Sequence, residues 1–376
     1  MEEWKEYKLG EITNMKNGKK RPHYNGVFPV YGGNGIIDYS DTYNAENAII
    51  VGRVGAYCGC VYKCDGKCWV SDNAISVSAK EIVDIHFLYY LMTSLDFHHH
   101  HIGGAQPLMT QDIIGDFTVS IPPMPVQHQI VQILKSLDDK IEMNRRINDN
   151  LEQQAQALFK SWFVDFEPFK DGEFVESELG MIPKGWKAGS LEDITTQKAE
   201  RVGRREDVKV LSPVTTGQLM LSEEYFTKQV FSESIAKYKV VEKGDFAYNP
   251  ARVNIGSLGR NNYDFDGCVS PVYVVFSCKG GYAHLFDLYR KTEKFKTEVN
   301  LRAIGGVRQS LNYKDFAFIQ CIIPPLCVVE EFNAIYDHIL VMQKHTEEEN
   351  DRLASLRDTL LPRLMSGELK ANELIV

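Results

Sequence analysis

The sequence predicts an α+β chain made of two similar globular α/β domains separated by two long antiparallel coiled-coil helices, related by an internal pseudo-two-fold repeat. Three observations predict it: a tandem duplication, a change from strand-like to heptad patterning that occurs twice, and a proline cluster at each change. The duplication comes first, because a missed repeat misassigns everything after it. Trp4 and Leu9-Gly10-Glu11-Ile12-Thr13 recur as Trp186 and Leu191-Glu192-Asp193-Ile194-Thr195, each displaced by 182. Arg53-Val54-Gly55 matches Arg252-Val253-Asn254 and Ser71 matches Ser270, displaced by 199. Gly103-Gly104 and Ile121-Pro122-Pro123 match Gly305-Gly306 and Ile323-Pro324-Pro325, displaced by 202. The order is kept and the displacement grows slowly, as loop insertions make it.

The first element of each half is globular. Short β-branched runs, Ala48-Ile49-Ile50-Val51 and Ala74-Ile75-Ser76-Val77, and in the second half Pro271-Val272-Tyr273-Val274-Val275-Phe276, read as strands. Gly- and Asn-rich turns such as Tyr31-Gly32-Gly33-Asn34-Gly35 separate them. One helical segment, His86 to His98 or Ala283 to Asn300, precedes each Gly-Gly. The proline clusters Ile121-Pro122-Pro123-Met124-Pro125 and Ile323-Pro324-Pro325 then stop a strand and prepare a helix start.

The second element is a long helix. Steps of four and three select Ile130, Leu134, Leu137, Ile141, Asn144, Asn148, Leu151, Ala155, Leu158 and Trp162. The matching seam is Phe332, Ile335, Ile339, Met342, Thr346, Glu349, Leu353, Leu356 and Leu360, until Pro362 ends it. Both seams are polar in the middle, so Asn144 and Asn148 are expected to meet Thr346, Glu349 and Asn350 in one register-fixing layer. Antiparallel pairing gives a rod of roughly 50 Å with a domain at each end. The expected boundaries are 1–125 and 186–327 for the globular domains, 126–165 and 328–362 for the helices, 166–185 for a connector and 363–376 for a tail.

A chain of 376 residues with 44% apolar and 25% charged residues is expected to form more than one domain. It has no apolar run of the ~18 to 20 residues that a membrane span needs, and its acidic, polar start is unlike a secretory signal. The expected compartment is the cytoplasm, where the eight cysteines stay reduced. Net charge is −9, which by itself argues against nucleic acid. By region the picture reverses: residues 1–120 and 186–327 together hold 30 basic and 30 acidic residues, and the helices, connector and tail hold 12 and 21. The excess acid lies on the helices and the connector. Within the balanced domains, Lys16, Lys19, Lys20 and Arg21, then Arg201, Arg204, Arg205 and Lys209, and finally Arg302 and Arg308, cluster in loops. Locally basic loops hold phosphates, while Arg, Asn and Gln read base edges.

Catalytic patterns are missing. Gly32-Gly33-Asn34-Gly35 lacks the Lys and helix start of a phosphate loop, and no G-x-S-x-G elbow occurs. Tyr248-Asn249-Pro250-Ala251 resembles the Asn-Pro-Pro-aromatic motif of amino-methyltransferases, but Ala251 and Arg252 replace the second Pro and the aromatic, so it is rejected as catalytic. Cys58, Cys60, Cys64 and Cys68 lie around an Asp65-Gly66 turn without paired C-x2-C spacing. Free thiols are expected there, with a structural zinc ion the alternative. His98 to His101 cannot all face one way on a helix and read as a solvated helix end.

The sequence resembles the specificity (S) subunit of type I restriction-modification enzymes over essentially its whole length. Ile121-Pro122-Pro123-Met124-Pro125-Val126-Gln127-His128-Gln129-Ile130 is similar to the family's I-P-x-P-P-x-x-E-Q-x-I step, with His128 where the family prefers Glu. Leu158-Phe159-Lys160-Ser161-Trp162-Phe163-Val164-Asp165-Phe166, the connector Glu178 to Trp186, and the close Leu360 to Leu369 also match; Pro324 to Glu331 matches more loosely. The resemblance implies that each globular domain is a target recognition domain for one half of a split double-stranded DNA site. The helices would set the gap and dock two modification (methyltransferase) subunits, with restriction (translocase/endonuclease) subunits joining them. The chain itself would be non-catalytic and without a cofactor. S-adenosylmethionine, ATP and Mg would belong to the partner subunits of an adenine methyltransferase and ATP-dependent endonuclease.

Loop placement and repeat matching nominate the DNA-contacting residues. They are Lys19, Lys20, Tyr31, Asn34, Arg53, Ser71 and Gln106 in the first domain, and Thr215, Thr216, Arg252, Asn254, Arg302, Arg308, Gln309 and Ser310 in the second. Arg308→Ala is expected to weaken DNA binding by the intact complex. Unchanged affinity together with an unchanged recognised sequence removes Arg308 from the set.

Overall fold

The computed structural model describes residues 4–22, 26–104, 106–226, 232, 234–303 and 310–374. They fall into two compact units, one of residues 1–146 and 346–376, the other of residues 147–345. Each unit holds one globular part and a stretch of both long helices.

In the first unit, β1 (Lys5–Lys8), α1 (Leu9–Ile12) and β2 (Thr13–Asn17) follow without a loop. Leu9 and Ile12 bury one face of this single turn, and Thr13 Oγ1 donates to the Leu9 carbonyl at 2.6 Å. A hairpin of β3 (Phe28–Gly32) and β4 (Gly35–Ser40) turns at Gly33-Asn34, with Gly35 at φ +76°. With β5 (Ala45–Gly52), β6 (Val61–Val70) and β7 (Ala74–Ala79) these strands form a six-stranded sheet in the order β2-β7-β5-β6-β3-β4. α2 (Ile85–Ser94) packs on the sheet, its N-terminus capped by the Asp84 carboxylate, which accepts from His86 and Phe87 N–H.

α3 (Gln111–Gly115) leads into β8 (Thr118–Ile121), which pairs antiparallel with β1, Lys5 opposite Ile121. The long helix α4 (Met124–Phe163) starts directly after that pair. Gln127, 1% exposed, anchors its first turn: Nε2 donates to the Ile82 and Pro122 carbonyls and Oε1 accepts from Asp84 N–H. Ile130 and Leu134 of α4, and Leu364 and Met365 from the far end of the helix spanning Leu326–Met365, complete the core with Ile49, Val51, Ile75, Phe87 and Leu88.

The second unit starts from the end of α4. Phe166, at φ +54°, turns the chain, and β9 (Phe174–Ser177) and β10 (Gly180–Pro183) form a connector hairpin. β11 (Lys187–Ser190), α5 (Leu191–Ile194) and β12 (Thr195–Lys198) then repeat the opening of the first unit. Thr195 Oγ1 donates to the Leu191 carbonyl at 2.6 Å, as Thr13 does to Leu9. Lys279 Nζ reaches the Glu192 and Asp193 carbonyls where Lys80 Nζ reaches those of Gly10 and Glu11. Each lysine satisfies carbonyls left open at a helix end.

Two four-stranded sheets follow. β12 lies beside β19 (Val274–Cys278), β16 (Phe246–Tyr248) and β17 (Leu258–Arg260), in that order. The other sheet runs β14 (Leu219–Leu221), β13 (Lys209–Pro213), β18 (Gly267–Val269), β15 (Lys239–Val241), with α6 (Ser222–Tyr225) after β14. α7 (Ala283–Tyr289), α8 (Glu293–Arg302) and α9 (Tyr313–Ala317) precede β20 (Gln320–Ile323), which pairs antiparallel with β11 before α10 (Leu326–Met365) begins. Phe246, Phe276, Phe286 and Phe316 form the aromatic centre of this unit, joined by Phe159 and Phe163 of α4 and Phe332 and Tyr336 of α10.

Several expectations need correction. The helical segment at 283–300 is two helices, because Thr292 caps a new start by accepting from Phe295 N–H at 3.2 Å. The strand expected from Pro271 begins at Val274. Both long helices begin two residues early, at Met124 and Leu326, and Pro125 fits because a first-turn residue needs no N–H donor. Pro362 does not end α10: burial of Leu364 and Met365 holds one more turn, and the chain leaves it through Gly367 at φ +73°. The seam of α4 is as expected, every position buried or half-buried. That of α10 is not. Ile335, Met342 and Leu356 are exposed, and Tyr336, Gln343, Asn350 and Arg357 turn inward instead.

Polar pairing explains the shift. In the first unit α4 and α10 run antiparallel, with Asn144, 0% exposed, donating to Glu349 at 2.7 Å and Asn350 at 3.0 Å, and Arg357 pairing with Asp138 at 2.8 Å. In the second unit the antiparallel pair brings Phe163 against Phe332, and the Gln343 amide donates to the Asn148 carbonyl at 3.5 Å.

A histidine ties α7 to α10 in the second unit. Arg260 Nη1 lies 2.9 Å from His284 Nδ1, so Nδ1 accepts, and Nε2 donates to Asp337 at 3.0 Å. Burial first, then the Arg260 charge, hold its pKa below the usual 6.5 against the pull of Asp337 and Asp287. The folded state therefore binds this proton more weakly than the unfolded chain, and stability falls as pH drops below 6.5 through the lowered pKa. The unfolding midpoint of the native chain should fall more between pH 7.5 and 5.5 than that of His284→Gln; equal falls would show that His284 carries no such linkage.

Candidate nucleic-acid interface

In the first unit the loops at one end of the six-stranded sheet converge. Lys19 N–H donates to the Val70 carbonyl and Lys19 bridges Ser71; Ser71 N–H donates to the Tyr31 carbonyl, and Arg53 N–H to the Asn73 carbonyl. Met109 N–H donates to the Arg53 carbonyl and Gly55 N–H to that of Pro107, which draws in the loop carrying Gln106. Gly52 makes this possible, since a Cβ there would lie 2.1 Å from the Tyr57 carbonyl oxygen. All seven nominated residues therefore belong to one loop cluster.

Their exposures differ. Lys19, Lys20, Asn34 and Gln106 are exposed, and Arg53 is half-buried with Nη1 near the Asp72 carbonyl. Tyr31 and Ser71 are buried beneath them. Tyr31 OH donates to the Lys63 carbonyl at 3.3 Å, and burial, followed by the neighbouring Cys64 and Cys68 thiols, pushes its pKa far up, so it stays a neutral support. Cys58, Cys64 and Cys68 are buried free thiols, and the described residues contain no group of three or more His, Cys, Asp or Glu placed to hold a metal ion.

In the second unit Thr215 and Thr216, both exposed, occupy the β13–β14 turn, closed by Gly217 N–H to the Val214 carbonyl. Asn254 sits in the single turn Val253–Ile255, and Gly256 presses that turn against the first: a Cβ on it would lie 2.5 Å from the Thr215 carbonyl oxygen. Exposed Arg252 stands immediately before the turn, its N–H bonded to the Asn249 carbonyl. Leu311 N–H donates to the Pro250 carbonyl and brings exposed Ser310 to the same loops. Arg302 differs from expectation, lying in the last turn of α8, paired with Glu298 and near the Phe318 carbonyl. Arg308 and Gln309 lie outside the described residues.

A cavity of about 500 Å³ lies between these loops, lined by Thr215, Thr216 and Asn254 together with Arg290, Lys291 and Lys296. Sequence reasoning missed these three cations. The sequence signal for two of them was the polar Arg290-Lys291-Thr292 step that breaks the helical pattern; Lys296 follows in α8. Asp287, 8% exposed, is paired to Arg290. Burial pushes the Asp287 carboxyl up, but Arg290 and Lys291 overcome it and hold its pKa below the ordinary range. The Tyr248-Asn249-Pro250-Ala251 segment is structural. Asn249 Oδ1 accepts from Ala251 N–H at 3.0 Å, and Tyr248 is buried against Phe276 and Phe316.

The matched positions Arg53 and Arg252 thus each stand beside a single helical turn, Gly55–Tyr57 and Val253–Ile255, within a converged loop cluster. Such polar, locally cationic loops on a rigid scaffold define a recognition module. Residues 1–153 match the family described as the type I restriction modification DNA specificity domain. The MjaIX specificity subunit of Methanocaldococcus jannaschii is 27% identical over 319 residues, covering 80% of this chain and 72% of that protein. The HindI specificity subunit of Haemophilus influenzae is 25% identical over 333 residues, covering 71% and 72%. In fold, the chain is similar to the S subunit of a type I restriction-modification system from M. genitalium, with a TM-score of 0.57 at 15% identity over 96% of both chains. Residues 1–153 thus match a type I restriction modification DNA specificity domain, and most of the chain is similar to specificity subunits of type I restriction enzymes.

Among the described residues the buried Tyr248 hydroxyl has no hydrogen-bond partner. Tyr248→Phe removes an uncompensated polar group and should leave stability unchanged or raise it by about 1 kcal/mol. Denaturant unfolding checks this, and a loss of more than that amount would reveal a partner for the hydroxyl.

Proposed function

We propose that this chain supplies the DNA address of a type I restriction-modification complex, reading a bipartite site with one recognition domain per half-site while the helices set the unspecified gap. The observation that carries the reading is the repeated loop cluster, in which Arg53 and Arg252 occupy matched positions beside Asn34 and Gln106 in one unit and Thr215, Thr216 and Asn254 in the other. Arg and Asn are the side chains that pair bidentately with base edges, each such pair being worth about 1–3 kcal/mol of discrimination. Lys19 and Lys20 would hold phosphates, which set register and affinity without reading sequence. Two domains on one chain supply by duplication what other DNA-binding proteins obtain by dimerising.

The helices would serve protein partners. Their acidic excess repels DNA, and they expose apolar side chains: Met143 and Leu356 in the first unit, Ile335 and Val341 in the second. Two modification subunits carrying S-adenosylmethionine would dock there, and restriction subunits using ATP and Mg would join them. Those groups would do the chemistry, and this chain would choose where. Among the described residues no helix is long and apolar enough to cross a membrane.

Methylation mapping of a genome expressing this chain with its modification subunit should return a split motif with a fixed gap. A continuous motif would overturn the proposed division of labour. The isolated chain should bind duplex DNA weakly, and affinity should rise when the modification subunits add phosphate contacts.

A further inference from the structure

Arg290 lies at the base of the Thr215 cavity and is committed on every side. Its side chain is 11% exposed, and Nε and Nη2 lie 2.8 and 2.7 Å from Asp287 Oδ1. Nη1 donates to the Leu258 carbonyl at 3.0 Å, just past the turn that carries Asn254. The same nitrogen is 3.1 Å from where a Cβ on Gly217 would sit, in the turn that carries Thr215 and Thr216. Gly217 has φ +83°, so that turn both needs glycine and leaves the guanidinium no slack. One planar fork therefore bonds the first residue of β17, abuts the turn after β13, and is itself aimed by a buried carboxylate on α7.

A buried ion pair is poor evidence of stabilisation, because desolvating both charges consumes most of their attraction, whereas its geometry is rigid. We propose that Arg290 is the residue that positions the base-reading loops of the second recognition domain, setting the distance between the Thr215–Thr216 turn and the Arg252–Asn254 turn without touching DNA itself. The proposal rests on the reading of this chain as a DNA-specificity subunit. The corresponding stretch of the first half, Leu91-Met92, is apolar and buried, so the device belongs to one recognition domain only.

That asymmetry supplies the control. The full chain, co-expressed with its modification subunit, is assayed by methylation mapping as wild type, Arg290→Lys, which keeps the charge and loses the fork, and Asp287→Asn, which leaves the fork unaimed. One component of the split motif should accept wrong bases, with discrimination falling about tenfold per affected position; the other component and the gap should not change. An unchanged motif overturns the proposal, as does an equal loss in both components with a lowered unfolding temperature, which marks a merely structural role. Should those variants fail to fold, Arg290→Gln, which keeps an amide donor for the Leu258 carbonyl but not the fork, is expected to give the same one-sided relaxation, with an unaltered motif counting against positioning. A wild-type complex that gives no split motif fails the underlying reading and is seen before any variant is compared.

Discussion

The buried amide of Asn144 is the constraint on which the helical part of the first unit depends. It is fully buried in the seam and donates to Glu349 and Asn350 of α10. A slip of one turn would strand that amide, at a cost of about 1–3 kcal/mol, so the pairing holds register more firmly than interchangeable leucines would. With Asn144 set, Arg357 falls on Asp138, and Leu364 joins Ile130 and Leu134 in the core. Asp138 also accepts from Tyr90 OH at 2.6 Å, which ties α2, and through it the sheet and its loops, to the helix pair.

Each globular part is closed by its own first and last strands, β1 with β8 and β11 with β20. This closure places the start of each long helix one step from a rigid edge. Gln127 adds three hydrogen bonds at that step in the first unit. The recognition loops are therefore built on elements that cannot drift relative to the helix start in the same unit, and loops carried by a rigid scaffold are where sequence can vary without loss of the fold.

Charge is divided along the same lines. Acid is in excess on the helices and connector, and the globular parts balance overall while leaving lysines and arginines in loops. The net charge of −9 is the sum of two differently charged surfaces and by itself describes neither.

Much of this was legible in the sequence. The displacement of 182 between Leu9-Thr13 and Leu191-Thr195 marked the same strand, turn and strand in both halves, because those contacts are local and depend on the same few side chains. The steps of four and three along α4 gave its buried face correctly. The same apolar pattern failed for α10, since Met342 and Leu356 compete with Gln343 and Arg357 for the seam, and the polar residues win only because Asn148 and Asp138 wait opposite them. Tyr31 and Ser71 were nominated with the exposed lysines beside them, although both lie under the loops. Arg290 was overlooked, because its pairing with Asp287 reads as an ordinary i,i+3 helix ion pair, and the contacts that give it a role, a carbonyl at Leu258 and the open side of Gly217, have no side-chain signature. The sequence by itself determined the duplication, the element types and the separation of acidic helices from balanced domains, all of which follow from periodicity and composition over short spans. Only the tertiary structure decided which polar groups are enclosed and which loops meet, because burial and hydrogen-bond pairing between distant residues are properties of the folded packing.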